Sequence, residues 1–508
     1  MIKQLLKYIF FISPILFAQI DEMAKPLINK ESLEKHILIL ASDSLEGRAA
    51  GTKGELLAAD YISSFYKSIG IKPYKDSTYY QEFGLGSRRF DSVEFSIEQN
   101  TYKFGKDYYS YPKFKNTNIN SKNLIFLGYG IESETYNDYD KNVEGKIVVV
   151  LNGEPKRKDG MFLISGTTKK SPKSHYKEKR KTAKKHGALA ILIIKKDKEI
   201  INDISRLEHY IEDPGVFLLE KETEIPFFYI NEKMCKQLIR EDISKIENKI
   251  QKREKKYSKE ISERVKITVT YKEDYLTGKN VLGYIEGQDP KLKEELIVIT
   301  AHYDHIGIID GLIHNGADDN ASGTAIVLEV AKTFQEALKR GYKFKRSILC
   351  MPVSAEENGL LGSYYYAENP VYPLENTITN LNIDMIGRMD EAHRGNENYI
   401  YLIGTDRLSV DLHNTSEKAN SKYVNMELDY RYNAHDDPNR FYYRSDHYNF
   451  AKNNIPSIFY FSGIHEDYHK HTDTPEKLSY KKIERLAELV FFTAWELSNA
   501  KEKPQLNK

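Results

Sequence analysis

The sequence predicts an α/β protein: a doubly wound, mainly parallel sheet with helices on both faces, plus an inserted, smaller β-rich α/β domain. Three observations carry that prediction. The apolar runs NVLGYIEG, ELIVITA, RSILCMPV, TNLNIDM, NYIYLIG and IPSIFYF alternate with helical or loop stretches between Asn280 and Phe461. Such alternation is the signature of strands linked by crossover helices. Several of those runs end in His, Asp or Glu, and open α/β sheets keep their chemistry at the carboxyl ends of strands. Finally, residues 117–270 have a different texture of short β-like runs separated by charged stretches.

The chain of 508 residues is too long for one ordinary core, so two or more domains are expected. The net charge of +1 argues against a nucleic-acid partner, which needs a marked basic excess. Lys3 and Lys7 precede the apolar stretch Tyr8–Ala18, and polar residues begin at Gln19. That is the layout of a secretory signal over residues 1–18, too short to span a bilayer comfortably. It predicts an exported protein, periplasmic or extracellular, with no stable membrane anchor. Cys235 and Cys350 fall in different predicted domains and read as two unpaired core thiols.

Residues 19–116 begin the main domain. Leu56, Leu57, Ala59, Tyr61, Ile62, Phe65, Tyr66 and Ile69 recur at helical spacing, with Gly70 as the stop. Before them lies the Gly-punctuated loop SDSLEGRAAGTKG, whose Arg48 reads as a surface or loop-bracing arginine rather than a substrate contact. Residues 117–270 form the insert, where NLIFLGYGI, GKIVVVL, HGALAILII and EIPFFYI are strand-like. The charged stretches Lys169–Lys185 and Arg240–Lys259 read as solvated helix faces and loops. The main domain resumes over residues 271–500, with a final helix near 481–498, and 501–508 is a charged tail without an evident role.

The chemistry concentrates around AHYDHIGIIDGLIHNGADDNASG, which follows the buried-strand run Leu296–Thr300 and leads into a helix over Ala325–Leu338. Imidazole and carboxylate are donors suited to zinc without any thiolate. Polar residues at four strand ends need partners if buried: His302 with Asp304 and then Asp319, the Glu356–Glu357 pair, Asp384, and His469 before the last helix. A metal-bound imidazole needs its other nitrogen held, usually by a carboxylate, a place for Asp304. Each alone has an ordinary explanation, as a helix cap, a turn or a surface pair. Together, at one edge of a parallel sheet, they suit a two-metal hydrolytic centre.

In this order, AHYDH, GADDNASG, SAEENGLLGS, NIDMIGR and YHKHTDT resemble the two-zinc exopeptidase family of bacterial leucyl aminopeptidases, aminopeptidase Y and glutamate carboxypeptidase II. The insert, with LGYGI, GKIVVVL and HGALAILI, resembles a protease-associated domain. The resemblance implies that Asp319 bridges two zinc ions, with His302 and Asp384 completing one and Glu357 and His469 the other. It implies Glu356 as general base, Asp304 as the residue orienting His302, and a cis peptide at Asp319–Asn320. Asp318 is left as a loop residue, and His305 and His314 as pocket or structural residues. Ser445–Asp446–His447 resembles an element near the substrate pocket, so His447 is a pocket candidate. The implied activity is removal of N-terminal residues from peptides with a free N-terminus. A carboxypeptidase is the alternative, needing arginines for the terminal carboxylate, and Arg388, Arg431, Arg440 and Arg444 lie near the site in sequence. A glutaminyl cyclase would retain one zinc, and a non-catalytic binding scaffold would show gaps in the ligand set.

Overall fold

A computed structural model describes residues 20–73, 78–212, 215–219, 224–253 and 256–507. The expected signal segment, 1–18, lies outside the described residues. The chain leaves its first compact unit after Gly84 and returns to it at Leu276, so the second unit, Leu85–Tyr275, encloses the expected insert 117–270 and begins earlier. The earlier boundary has a physical reason. Tyr80–Ile97 is one strand of 18 residues, and Val265–Val281, a strand of 17, lies beside it in the same sheet. The first of these carries Glu, Arg and Asp at irregular places, so its sequence lacks the alternation by which strands are recognised.

The first unit is built on seven strands: β1 (Gly283–Ile285), β2 (Leu296–His302), β3 (Ser347–Val353), β4 (Thr377–Ile383), β5 (Tyr399–Ile403), β6 (Glu427–Asp429) and β7 (Ser457–Phe461). Their order is β1-β3-β2-β4-β7-β5-β6. The four central strands are parallel, while β1 and β5 run antiparallel to their inner neighbours. Every residue of β2, β3, β4, β5 and β7 is buried, as a sheet covered on both faces requires.

The covering helices include α1 (Lys30–Leu40), α2 (Lys53–Ile69), α3 (Gly323–Lys339) and α4 (Tyr480–Asn499). Helix α2 ends on Gly70 at φ 89°, the left-handed stop its sequence announces. Helix α3 buries Ile326, Val327, Leu328, Val330, Ala331 and Phe334 in the main core with Ile297, Ile299 and Leu381 of the sheet. The tail is not idle: Asn507 N–H donates to Leu408 O at 2.8 Å, and Gln505 N–H to Asp411 at 3.0 Å.

The insert has its own core and a six-stranded sheet whose central strands, Leu124–Leu127, Ile147–Leu151, Ala190–Ile194 and Phe227–Ile230, are parallel. In its basic helix Tyr176–Lys185, Lys179 and Arg180 are buried, contrary to the solvated reading. Among the described residues no helix is long and apolar enough to cross a membrane.

Candidate metal centre

The carboxyl ends of the parallel strands meet at one place. His302 is the last residue of β2, Glu356 and Glu357 follow β3, Asp384 directly follows β4, and His469 lies in the loop after β7. Asp319 comes from the turn that opens α3. Two glycines make that turn possible. A side chain at Gly323 would meet Ile383 O at 2.5 Å, and one at Gly316 (φ 56°) would meet Asp319 O at 2.2 Å. Three non-glycine residues beside the site, Ala355, Met385 and His469, hold φ between 53° and 56°. Such left-handed backbone is uncommon outside glycine and clusters where a side chain must be aimed. The Asp319–Asn320 peptide is cis.

The donor atoms then converge. His302 Nε2 lies 3.2 Å from Asp319 Oδ1 and 3.2 Å from Asp384 Oδ1. His469 Nε2 lies 3.2 Å from the other oxygen of Asp319 and 3.0 Å from Glu357 Oε2. Each imidazole nitrogen therefore faces two carboxylate oxygens, although it carries at most one hydrogen. A divalent cation beside such a nitrogen would satisfy both contacts, and Asp319 offers a separate oxygen to each set. Glu356 is also within reach: donor atoms of His302, Glu356 and Asp384 lie within 4.8 Å of one another. These imidazole and carboxylate donors are of the kind that suits zinc.

The electrostatics point the same way. Burial opposes charge on His302, but Asp384 and Glu356 hold its pKa well above the ordinary imidazole value. Burial likewise opposes charge on His469, and hydrogen bonds to Asp319 and Glu357 raise it to about 10. Burial would push Asp319 up, yet its bonds with His302 and His469 keep it well below the usual carboxylate range. Glu356 is pushed well up by burial, with Glu357 and Asp384 adding to the effect against His302. A cluster this acidic draws positive charge from whatever is present, protons here and metal when supplied.

The supporting shell differs in part from expectation. Asp304 does face His302, but its backbone carbonyl is the nearer partner of Nδ1, at 3.1 Å against 3.7 Å for the carboxylate. The carboxylate accepts the N–H groups of Glu356 at 3.1 Å and Glu357 at 3.3 Å, and burial lifts its pKa to about 7. Asp318, left as a loop residue by the sequence, is fully buried in the turn that opens α3, 3.2 Å from His465 Nε2. His305 Nδ1 sits 2.8 Å from Glu357 Oε1. His447 lies behind the pocket wall, fully buried and stacked on Phe459, whose ring lines the cavity with Phe461, Met385, Phe441 and Ile464.

Three supports come from residues that carried no such role in the sequence. Asp473 accepts the N–H groups of Asp318 (3.0 Å) and Asp319 (3.1 Å), fixing the bridging turn. Its place in the same short motif as His469 was the available signal. Ser445 Oγ donates to Asp384 at 2.7 Å, and Tyr468 stacks on His469 with ring centroids 3.9 Å apart. Arg48 matches its loop-bracing reading but is buried: it donates to Tyr303 O at 2.7 Å, Asn315 O at 2.7 Å and Gly316 O at 3.0 Å.

Residues 280–494 match the model of peptidase family M28. Aminopeptidase YwaD of Bacillus subtilis is 26% identical over 239 residues, 46% of this chain and 47% of that protein. The "Probable glutamate carboxypeptidase" of Arthroderma benhamiae is 36% identical over 107 residues, 21% of this chain and 14% of that protein. The chain thus spans less than half the length of these curated relatives. The solved aminopeptidase from Aneurinibacillus sp. strain AM-1 superposes with TM-score 0.56 at 19% identity, covering 96% of this chain and 97% of its own, a likeness of fold.

Proposed function

We propose that this chain, whose residues 280–494 belong to peptidase family M28, is an exported zinc aminopeptidase that removes N-terminal residues from peptides. The observation that carries the reading is the double approach of carboxylates to His302 Nε2 and His469 Nε2 around the shared Asp319. His302, Asp384 and Asp319 would hold one ion, and His469, Glu357 and Asp319 the second. When bound, such a pair lowers the pKa of a water and polarises a carbonyl oxygen as a Lewis acid.

The chain's own residues supply the rest. Glu356, in the loop after β3 beside His302 and Asp384, takes the proton of the attacking water and returns it to the leaving amine. Asp304 holds the backbone of Glu356 and Glu357, so both carboxylates stay aimed while protons move. The excess of acid around the ions offers a place for the substrate's free ammonium, and the aromatic wall of Phe441, Phe459 and Phe461 excludes water from an apolar side chain. Export rests on the layout of residues 1–18.

A carboxypeptidase reading has one observation behind it, Arg444 in the pocket wall. Arg444 itself lies over the Phe441 ring; Arg388 pairs with Asp467 at 2.9 Å, Arg431 with Asp429 at 2.7 Å, and Arg440 lies over Tyr443. Hydrolysis of a short peptide with a free N-terminus is compared with its N-acetylated copy, with and without a zinc chelator. Chelator-sensitive release from the free peptide alone supports an aminopeptidase. Cleavage of the blocked copy from its far end favours the carboxypeptidase, and cleavage of neither overturns both.

A further inference from the structure

The insert contains a second built crevice, unrelated to the metal centre. A cavity of about 340 Å³ opens at the carboxyl ends of its parallel strands. Tyr129, Leu151 and Ile194 line it, each at or just past the end of a different strand. Ile243, Glu247 and Ile250 line it from the helix Ile243–Arg253.

The floor is constructed rather than incidental. Lys179, 1% exposed, donates its ammonium hydrogens to Tyr129 O, Leu151 O at 3.0 Å and Gly153 O at 2.6 Å. It thereby ties the ends of two neighbouring strands together. Glu154, 3% exposed, lines the cavity beside this tie. One of its oxygens accepts Ser171 N–H at 3.1 Å as well as the Ser171 hydroxyl. The other, Oε1, is buried without a hydrogen-bond partner.

A buried carboxylate oxygen left unpaired costs more than a typical hydrogen bond contributes, so its persistence in a cavity wall suggests a group that completes it. The buried charges here are Lys179 against Asp138 and Glu154, and the exposed Lys170, which also acts on Lys179, lines the cavity with Lys156, Lys196, Glu199 and Glu247. At the rim, Lys196 is 3.5 Å from Glu247 and Lys156 lies over the Phe162 ring. Tyr129, Phe162, Ile194 and Ile250 also line the cavity, apolar surface of the kind that covers an aliphatic stem.

We infer that this crevice binds an organic cation, an ammonium or guanidinium on an apolar stem, through the free oxygen of Glu154. The chemistry is that of a lysine or arginine side chain in a peptide, or of a free polyamine. The inference does not depend on the peptidase reading, because no residue of the metal centre takes part.

The test is calorimetric titration of the full, zinc-loaded chain with Nα-acetyl-lysine methylamide, which has no free N-terminus for an aminopeptidase site. Nα-acetyl-norleucine methylamide, without the ammonium, and spermidine are titrated alongside. Saturable one-site binding of the lysine probe, at least tenfold weaker for the norleucine probe and for Glu154→Gln, supports the crevice as a side-chain site. Glu154-dependent binding of spermidine alone supports the same chemistry with a free polyamine as source. Equal binding of the neutral probe, an unchanged Glu154→Gln, or no saturation by any probe overturns the inference. Should Glu154→Gln misfold, carbodiimide labelling of Glu154 in the unaltered protein, mapped by mass spectrometry, takes its place. The cationic probe is expected to protect Glu154, and unprotected labelling at saturating probe overturns the inference. Peptidase turnover of Glu154→Gln is expected to stay within twofold.

Discussion

At the scale of single residues, the division of labour between two adjacent glutamates is the sharpest consequence of the structure. Glu357 Oε2 faces His469 at 3.0 Å, whereas Glu356 has no imidazole within ion-pair distance among the described residues. Removing the charge of Glu356 should therefore leave the metal in place and remove the proton acceptor. Glu356→Gln is expected to keep two zinc ions by elemental analysis and to lose about 10²–10⁴-fold in kcat, the usual scale of general-base catalysis; near-normal turnover would end that assignment. A second residue tests burial of charge away from the site. Lys482, on α4, donates to Tyr399 O at 2.9 Å, and burial lowers its pKa from 10.5 to about 7. Between those values the unfolded chain binds one proton more than the folded one, so stability rises with pH. Relative to Lys482→Met, which lacks this proton, the wild type should gain up to about 1.4 kcal/mol per pH unit from pH 7 towards 10. Urea unfolding of the pair at three pH values reads the difference directly, and parallel lines would contradict it.

At the scale of elements, the centre depends on loops braced from outside the sheet. The guanidinium of Arg48 gathers the carbonyls of Leu40, Tyr303, Asn315 and Gly316, and so joins the end of α1, the loop after β2 and the turn that opens α3. Replacing it strands several buried carbonyls at once. Arg48→Met is expected to destabilise the protein by about 2–4 kcal/mol and to lower kcat/KM by loosening His302 and Asp319 together. A change below about 0.5 kcal/mol in urea unfolding, or normal activity, would show that the brace is dispensable. The helices themselves follow from periodicity. The loops do not, because their conformation depends on carboxylates such as Asp473 and Asp318, whose partners lie far along the chain or in backbone N–H groups.

At the scale of the molecule, metal and fold should be linked. A cluster of buried carboxylates is stabilised by cations that bind the folded chain and not the unfolded one, by about 4 kcal/mol at a thousandfold excess over Kd. Chelation is expected to lower the thermal midpoint, and two equivalents of zinc per chain, not one, to restore it. An unchanged midpoint on chelation would argue against a resident metal. The central sheet and the polar side chains gathered at its carboxyl edge were legible in sequence because both obey local rules. Buried parallel strands are apolar runs, and the chemistry of an open α/β sheet stands at their ends, so His302, Glu356, Glu357 and Asp384 can be placed by counting from each run. The antiparallel edges, the start of the insert at Leu85 and the buried roles of Lys179, Asp318 and Arg48 were not legible. By itself the sequence determined the buried strands of the central sheet and which side chains reach their carboxyl edge. Only the tertiary structure decided which oxygen faces which nitrogen and which charges are buried, because burial and pairing depend on residues brought together from hundreds of positions apart.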